Sequence, residues 1–198
     1  MMSAATTLAG SPSRRVELVA GGAGVATSVS GTVLSWNDTE NAKYLLYNSS
    51  VSDTDIKADM KLASPTLALA YTAVKGGITP NADGKRYNQT FSFDTIPEGS
   101  YKLVIVKPGG YLPSITSINV TGGNYLAGTI QLHLLGDVNG DGVIKNYDAT
   151  MLRKAIAGQL TLTPEEKMRA DINQDGALKN YDATQLRNFI SGKIPSLI

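Results

Sequence analysis

The chain has 198 residues, 42% hydrophobic and 18% charged, with a formal net charge of +1, an ordinary globular composition with room for one or two domains. That balance argues against a nucleic-acid or membrane-surface partner, and no apolar run approaches the roughly 20 residues needed to cross a bilayer. Cysteine is absent, which excludes a disulfide framework and a thiolate metal site.

Residues 1–28 are small, polar and Gly-rich, and Arg14 and Arg15 follow a weak apolar stretch. A secretory signal has the reverse order, charge before the apolar core. The segment is expected to be tag or linker on a piece of a longer chain.

Residues 29–135 carry a strand period. In "SYKLVIVKP", Tyr101, Leu103 and Ile105 fall on one face and Lys102, Val104 and Val106 on the other. The runs "VSGTVLSW", "KYLLYN", "TLALAYTAV", "QTFSFDTI", "SITSINV" and "LAGTIQLHLL" are rich in Val, Ile, Thr and aromatics. The turn signals "NADGK", "IPEGS", "KPGGY" and "VTGGN" separate them. Six or seven short strands with this punctuation predict an antiparallel, Ig-like β-sandwich. The stretch from Val74 to Gly123, with its aromatic strand, its "PEGSY" turn and its "GGY" strand end, resembles the carboxypeptidase-regulatory-like group of small β-sandwiches.

The period becomes helical after Leu135. In "YDATMLRKAIAG", Ala149, Leu152 and Ile156 form one apolar stripe, and Gly158 stops it. "TPEEKMRA" supplies Thr163 as N-cap, Pro164 at the first helical position and Glu166 three residues after the cap, a capping box. "YDATQLRNFISG" repeats the first pattern with Ala183, Leu186 and Ile190, and Gly192 ends it. Residues 136–198 therefore predict a small all-α domain.

Each of the two like helices follows an acidic loop, and the second loop lies 34 residues after the first. Taking Asp137 as position 1, the first loop has Asn139 at 3, Asp141 at 5, Gly142 at 6, Val143 at 7 and Asp148 at 12. The second has Asp171, Asn173, Asp175, Gly176, Ala177 and Asp182 at the same positions. Side-chain oxygens at 1, 3, 5 and 12 and a backbone carbonyl at 7 wrap one hard cation, and Gly at 6 permits the turn. An all-oxygen donor set suits Ca²⁺ and disfavours zinc or copper, so two Ca²⁺ ions are expected. Position 12 is Asp rather than Glu, and a strand rather than a helix precedes the first loop, which departs from the EF-hand. Lys145 and Lys179 at position 9 cannot coordinate and are expected to turn outward.

Residues Gly136 to about Lys193, with "DxNxDGxxxxxDxxxLR" in duplicate, resemble the dockerin family, whose loops are of the F-hand type. The sandwich ahead of them is similar to the X-module that accompanies some dockerins. The resemblance implies docking onto a cohesin of a scaffoldin or cell-surface anchoring protein, outside the cell, in a cellulosome.

With Tyr147 at zero and about 100° per residue, Tyr147, Thr150, Met151 and Lys154 face away from the apolar stripe, with Asn146 and Arg153 on the flank. Tyr181, Thr184, Gln185 and Asn188, flanked by Asn180 and Arg187, repeat the map. Tyr and Arg on a rigid helix are interface anchors, and the resemblance makes Asn146, Tyr147, Arg153, Lys154, Asn180, Tyr181, Arg187 and Asn188 the cohesin-recognising positions. Two like faces imply two docking orientations, with bias because Lys154 answers to Asn188 and Met151 to Gln185.

Two rival functions are weaker. The only His is His133, and no nucleophile–base motif is present; Asp94 and Glu98 flank a turn with no cleft expected for a glycosidase pair. No enzyme is predicted. A carbohydrate-binding sandwich would use exposed aromatics among Trp36, Tyr44, Tyr47, Tyr87 and Tyr111.

Overall fold

Alternating β-branched and aromatic residues give seven strands in the computed structural model, which describes residues 27–37 and 42–197. They are β1 (Thr27–Ser35), β2 (Lys43–Asn48), β3 (Val74–Pro80), β4 (Tyr87–Ile96), β5 (Gly99–Val106), β6 (Ser114–Val120) and β7 (Asn124–Gln131). Residues 1–26, which hold nearly all of the expected linker, lie outside the described residues.

One sheet runs β3-β4-β1-β7 and the other β2-β5-β6. Their inner faces meet on Val29, Val33, Leu46, Phe91, Phe93, Leu103, Ile105 and Leu132, all buried. Tyr44 stacks on Phe91 with ring centroids 4.5 Å apart. Pairing is antiparallel except between β1 and β7, which run parallel. The wholly antiparallel sandwich read from the sequence is therefore corrected at that edge. Alternation fixes which face a strand buries but not which neighbour it pairs with.

Two further segments depart from expectation. "TLALAYTAV" is not a strand; only Val74, its last residue, enters β3. Its backbone donors are taken by other partners: Thr66 and Leu67 N–H bond Asp59 Oδ1, and Leu69 N–H bonds the Leu46 carbonyl at 2.7 Å. The edge strand is instead "VKGGITP", whose paired glycines weaken the strand signal. Gly76 is required there because a Cβ would collide with Thr90.

The second departure is a helix, α1 (Asp53–Asp59). Ser52 caps it by accepting the Asp55 N–H at 3.1 Å, a Ser-x-x-Asp signature present in the sequence. Ile56 packs on Tyr47 and Val104. This explains why β5 is buried on both faces: Leu103 and Ile105 face the other sheet, and Val104 faces α1.

Asp59 ties α1 to the coil that follows. Its carboxylate accepts the Thr66 and Leu67 N–H groups and the Thr66 and Tyr47 hydroxyls. Burial alone would raise its pKa, but these four donors outweigh it and hold the carboxyl below its ordinary value. The stabilisation is present above the unfolded value, about 3.9, and is lost as pH falls toward the lower folded one. Asp59→Asn should lower the melting temperature at neutral pH and flatten the acid limb of stability below about pH 4; melting curves across pH check both.

The strand period ends at Gln131, and a second apolar cluster begins at Leu135. It joins α2 (Asn146–Ile156), α3 (Pro164–Ala170) and α4 (Asn180–Ile190) through Leu152, Leu186, Leu162, Ala170 and Ile172. Both expected stripes face inward: Ala149, Leu152, Ala183 and Leu186 are buried. Ile156 and Ile190 sit half-buried beside them. Thr163 and Glu166 form the expected capping box around α3. Gly158 and Gly192 end α2 and α4 at φ +71 each, the left-handed closure that glycine takes most easily.

Sheet and helix regions are in direct contact. Leu112, just before β6, belongs to the helical cluster. Leu135 N–H bonds the Gly110 carbonyl at 2.9 Å, and Gly136 N–H bonds the Arg169 carbonyl at 2.8 Å.

Candidate functional site

The two acidic loops share one hydrogen-bond frame, with two differences: Asp137 Oδ1 also accepts the Gly140 N–H, and Asp182 Oδ1 also accepts the Ile172 N–H. Asp137 Oδ2 accepts the Gly142 N–H at 2.8 Å, and Asp171 Oδ2 accepts the Gly176 N–H at 2.7 Å. The Oδ1 atoms of the same residues accept the N–H of Asp141 and Asp175. Position 5 braces position 7: Asp141 Oδ1 takes the Val143 N–H at 3.0 Å and Asp175 Oδ1 the Ala177 N–H at 2.9 Å. Position 12 closes each loop, as Asp148 accepts Asn139 and Lys145 N–H and Asp182 accepts Ile172, Asn173 and Lys179 N–H. Asp148 and Asp182 thereby also cap the first turns of α2 and α4.

Asp137, Asp148, Asp171 and Asp182 are all buried. Burying carboxylates on so short a stretch is costly without a compensating cation. Burial raises the pKa of Asp137, and the nearby Asp148 and Asp141 raise it further against the lowering effect of the backbone donors. The donor set is that of a hard divalent ion: carboxylates, the asparagine amides of Asn139 and Asn173, and backbone carbonyls. These residues fit such an ion.

Both position-9 lysines are solvent-exposed, as expected, but Lys145 is also paired with Asp141 Oδ2, and Lys179 with Asp175 Oδ2 at 2.6 Å. An ammonium four residues from a carboxylate on a tight loop has a partner within reach. The pairing holds Asp141 and Asp175 below the usual carboxylate range and raises both lysines. These exposed pairs are weak in water. Among the described residues, no three His, Cys, Asp or Glu side chains are gathered as a metal cluster.

The second set of residues lies on the outer faces of α2 and α4, which pack against each other. Asn146, Thr150, Arg153, Lys154, Asn180, Thr184 and Arg187 are exposed. Tyr147 and Tyr181 expose 57% and 52% of their surface, unusual for aromatic side chains. Asn146 at the start of α2 shares one shallow surface with Thr184, Arg187 and Asn188 of α4. Thr150 and Thr184 hydroxyls donate back to the Asn146 and Asn180 carbonyls at 2.9 and 2.8 Å.

Three of the expected partner-facing residues are less open. Met151 is half-buried against the helical core. Gln185 and Asn188 are also half-buried. Tyr181 and Gln185 border the cleft between the helices and the sandwich, with Lys57 and Lys61 on its far side.

The rival candidates are placed otherwise. Tyr44, Tyr47 and Tyr111 are buried, which removes them from any sugar platform. Tyr87 is half-buried, and Arg86 lies over the Trp36 ring at 5.6 Å. His133 sits past the end of β7, beside the Arg169 guanidinium at 3.3 Å; burial and that positive charge lower its pKa. Asp94 and Glu98 are exposed, and Glu98 accepts the Gly122 N–H at 2.7 Å.

Trp36 and Arg169 are neighbours of the first loop that sequence reasoning missed. Both are distant from it in the chain, and no local pattern marks a residue that reaches a loop through the tertiary fold.

Residues 135–191 match the family model of the dockerin type I domain. Over 37 residues the chain is 54% identical to endo-1,4-beta-xylanase Y of Acetivibrio thermocellus. That alignment covers 19% of this chain, which spans only 3% of the length of that enzyme. Two solved structures of the third cohesin ScaC with mutants of the ScaB dockerin from Acetivibrio cellulolyticus also match. They show 31% and 30% identity, cover 30% and 31% of this chain and 85% and 88% of the matched chain, and have TM-scores of 0.29 and 0.30. Residues 135–191 are a dockerin type I domain.

Proposed function

We propose that this dockerin type I domain, with the sandwich before it as an X-module-like support, docks its parent protein onto a cohesin in a calcium-dependent manner. The carrying observation is the duplication itself. Two loops repeat one hydrogen-bond frame, and each sets a helix with an exposed Tyr and an exposed Arg: Tyr147 and Arg153, then Tyr181 and Arg187.

Each loop binds one Ca²⁺, which supplies the positive charge that the buried carboxylates require. Asp137, Asn139, Asp141, Asp148 and the Val143 carbonyl hold the first. Asp171, Asn173, Asp175, Asp182 and the Ala177 carbonyl hold the second. The bound ions fix the angle at which α2 and α4 leave the loops, and so the spacing of the two faces. The chain itself acts as a non-catalytic module, divided near Leu135 into an Ig-like sandwich and the dockerin. Its place is extracellular, in an assembly that degrades polysaccharide. The relatives support this: the matched xylanase is a polysaccharide-degrading enzyme by name, and the matched structures pair a dockerin with a cohesin.

Asp137→Ala and Asp171→Ala should each remove one of two calcium-binding events in equilibrium titration, and the double variant both. Co-migration with a cohesin on a native gel tests the function. A calcium-dependent shift with at least one cohesin is expected; migration unchanged across cohesins of every type would reject it.

A further inference from the structure

The duplicated loops share most of their internal bonds but have different surroundings. Position 6 of the first loop is covered: a Cβ on Gly142 would lie 2.6 Å from Trp36 Cδ2 and Cε3, so the indole rests on the loop backbone. The same position in the second loop, Gly176, has nothing within 4 Å. Position 4 repeats the contrast. A Cβ on Gly140 would meet Arg169 Nη2 at 3.2 Å, and that nitrogen donates to the Val138 carbonyl at 2.9 Å. Its counterpart, Gln174, is exposed and sits at φ 56, a conformation that favours glycine.

The cover is itself anchored. The Trp36 backbone N–H donates to the buried Tyr111 hydroxyl at 2.8 Å, and Arg86 from the β3–β4 turn lies over the indole at 5.6 Å. Arg169 is 8% exposed and is held against His133 at the junction of the two regions. Residues 139, 140 and 142 are accordingly half-buried, whereas residues 173 to 176 are all exposed.

An ion leaves a wrapped loop only when the arm carrying positions 3 to 6 swings away. In the second loop that arm moves into open solvent. In the first it must slide out from beneath Trp36, which breaks a contact with the sandwich, and from beneath Arg169 of α3. We infer that the sandwich closes the first loop through Trp36, so that the two loops are kinetically unequal calcium sites: a slow, latched first site and a fast, open second one. The inference rests on the calcium reading above.

Mixing the calcium-loaded full chain with excess chelator in a stopped-flow instrument tests it. Two release phases are expected, with rates up to about tenfold apart, since one well-packed aromatic contact supports a difference of that order. Asp171→Ala should remove the fast phase and Asp137→Ala the slow one. Trp36→Ala should accelerate the slow phase and leave the fast one unchanged, while Trp36→Phe keeps most of the separation.

A second measurement needs no variant. Trp36 is the only tryptophan. With Tb³⁺ in place of calcium and excitation where tryptophan alone absorbs, the sensitised emission should decay with the slow phase only. A single release phase, equal acceleration of both phases by Trp36→Ala, or sensitised emission that decays with the fast phase would overturn the inference while leaving calcium binding intact. No metal release at all would overturn the calcium reading and this inference together.

Discussion

Chelation of calcium should collapse the helical region and spare the sandwich. A domain of this length has a total stability of about 3–9 kcal/mol. An ion at about 100 times its dissociation constant contributes roughly 2.7 kcal/mol, so two ions contribute about 5. That is comparable to the whole. The helices cannot make up the loss, because α2 and α4 have 11 residues each and α3 only 7, and helices this short are marginal alone. Without the ions the buried Asp137, Asp148 and Asp182 oppose folding. The sandwich has its own core on Phe93, Leu46 and Leu103 and no stake in the loops beyond Trp36. Hydrogen exchange with and without chelator reads both halves at once: amides of 146–156 and 180–190 should lose protection, and those of β1, β4 and β5 should keep theirs.

The second large effect is a difference between single and combined substitutions. If the two faces dock one cohesin in alternative orientations, losing one leaves the other. Tyr147→Ala with Arg153→Ala should then weaken binding only about twofold, roughly 0.4 kcal/mol, the statistical cost of one lost orientation. Tyr181→Ala with Arg187→Ala should do much the same, with a modest difference because Gln185 and Tyr181 border the cleft to the sandwich and Met151 does not. All four together remove two anchors from each orientation. At about 2 kcal/mol per anchor the loss is on the order of a thousandfold. Surface plasmon resonance on the three variants measures it, and a collapse of binding in the first pair alone would contradict the symmetric account.

How far the sequence disclosed this structure depended on the range of the interactions. The helical region was legible almost to the residue because its rules are local: the Asp-Asn-Asp-Gly spacing, the Thr163–Glu166 box, and the stripes through Leu152 and Leu186. The outer faces were legible for the same reason, since helical geometry that buries Ala149 and Leu152 must expose Tyr147 and Arg153. Met151 alone among the α2 positions leaned further inward than the wheel suggested, because its long flexible side chain can reach the core from the boundary.

In the sandwich, local reading found β1, β2, β4, β5, β6 and β7 but misplaced the third strand. "TLALAYTAV" has the stronger strand composition, yet Asp59 takes its amides, while "VKGGITP" forms the edge because Gly76 lets it approach Thr90. Asp59 acts from α1, a helix whose only local sign was Ser52 before Asp55. The parallel β1–β7 pair and the placing of Trp36 on Gly142 are topological facts. No periodicity in either segment encodes them. The lysines at position 9 are exposed as expected, but their pairing went unread: exclusion from coordination does not remove the pull of a carboxylate four residues away.

Calorimetric titration of the whole chain against a panel of cohesins, first in calcium and then in chelator, tests the central claim most directly. The account predicts tight one-to-one binding to at least one cohesin and its complete loss in chelator. Binding that persists at equal strength in chelator would contradict the calcium dependence. Calcium-ordered protein that binds no cohesin of any type would contradict the docking function and return the Tyr147 and Tyr181 faces to a different partner.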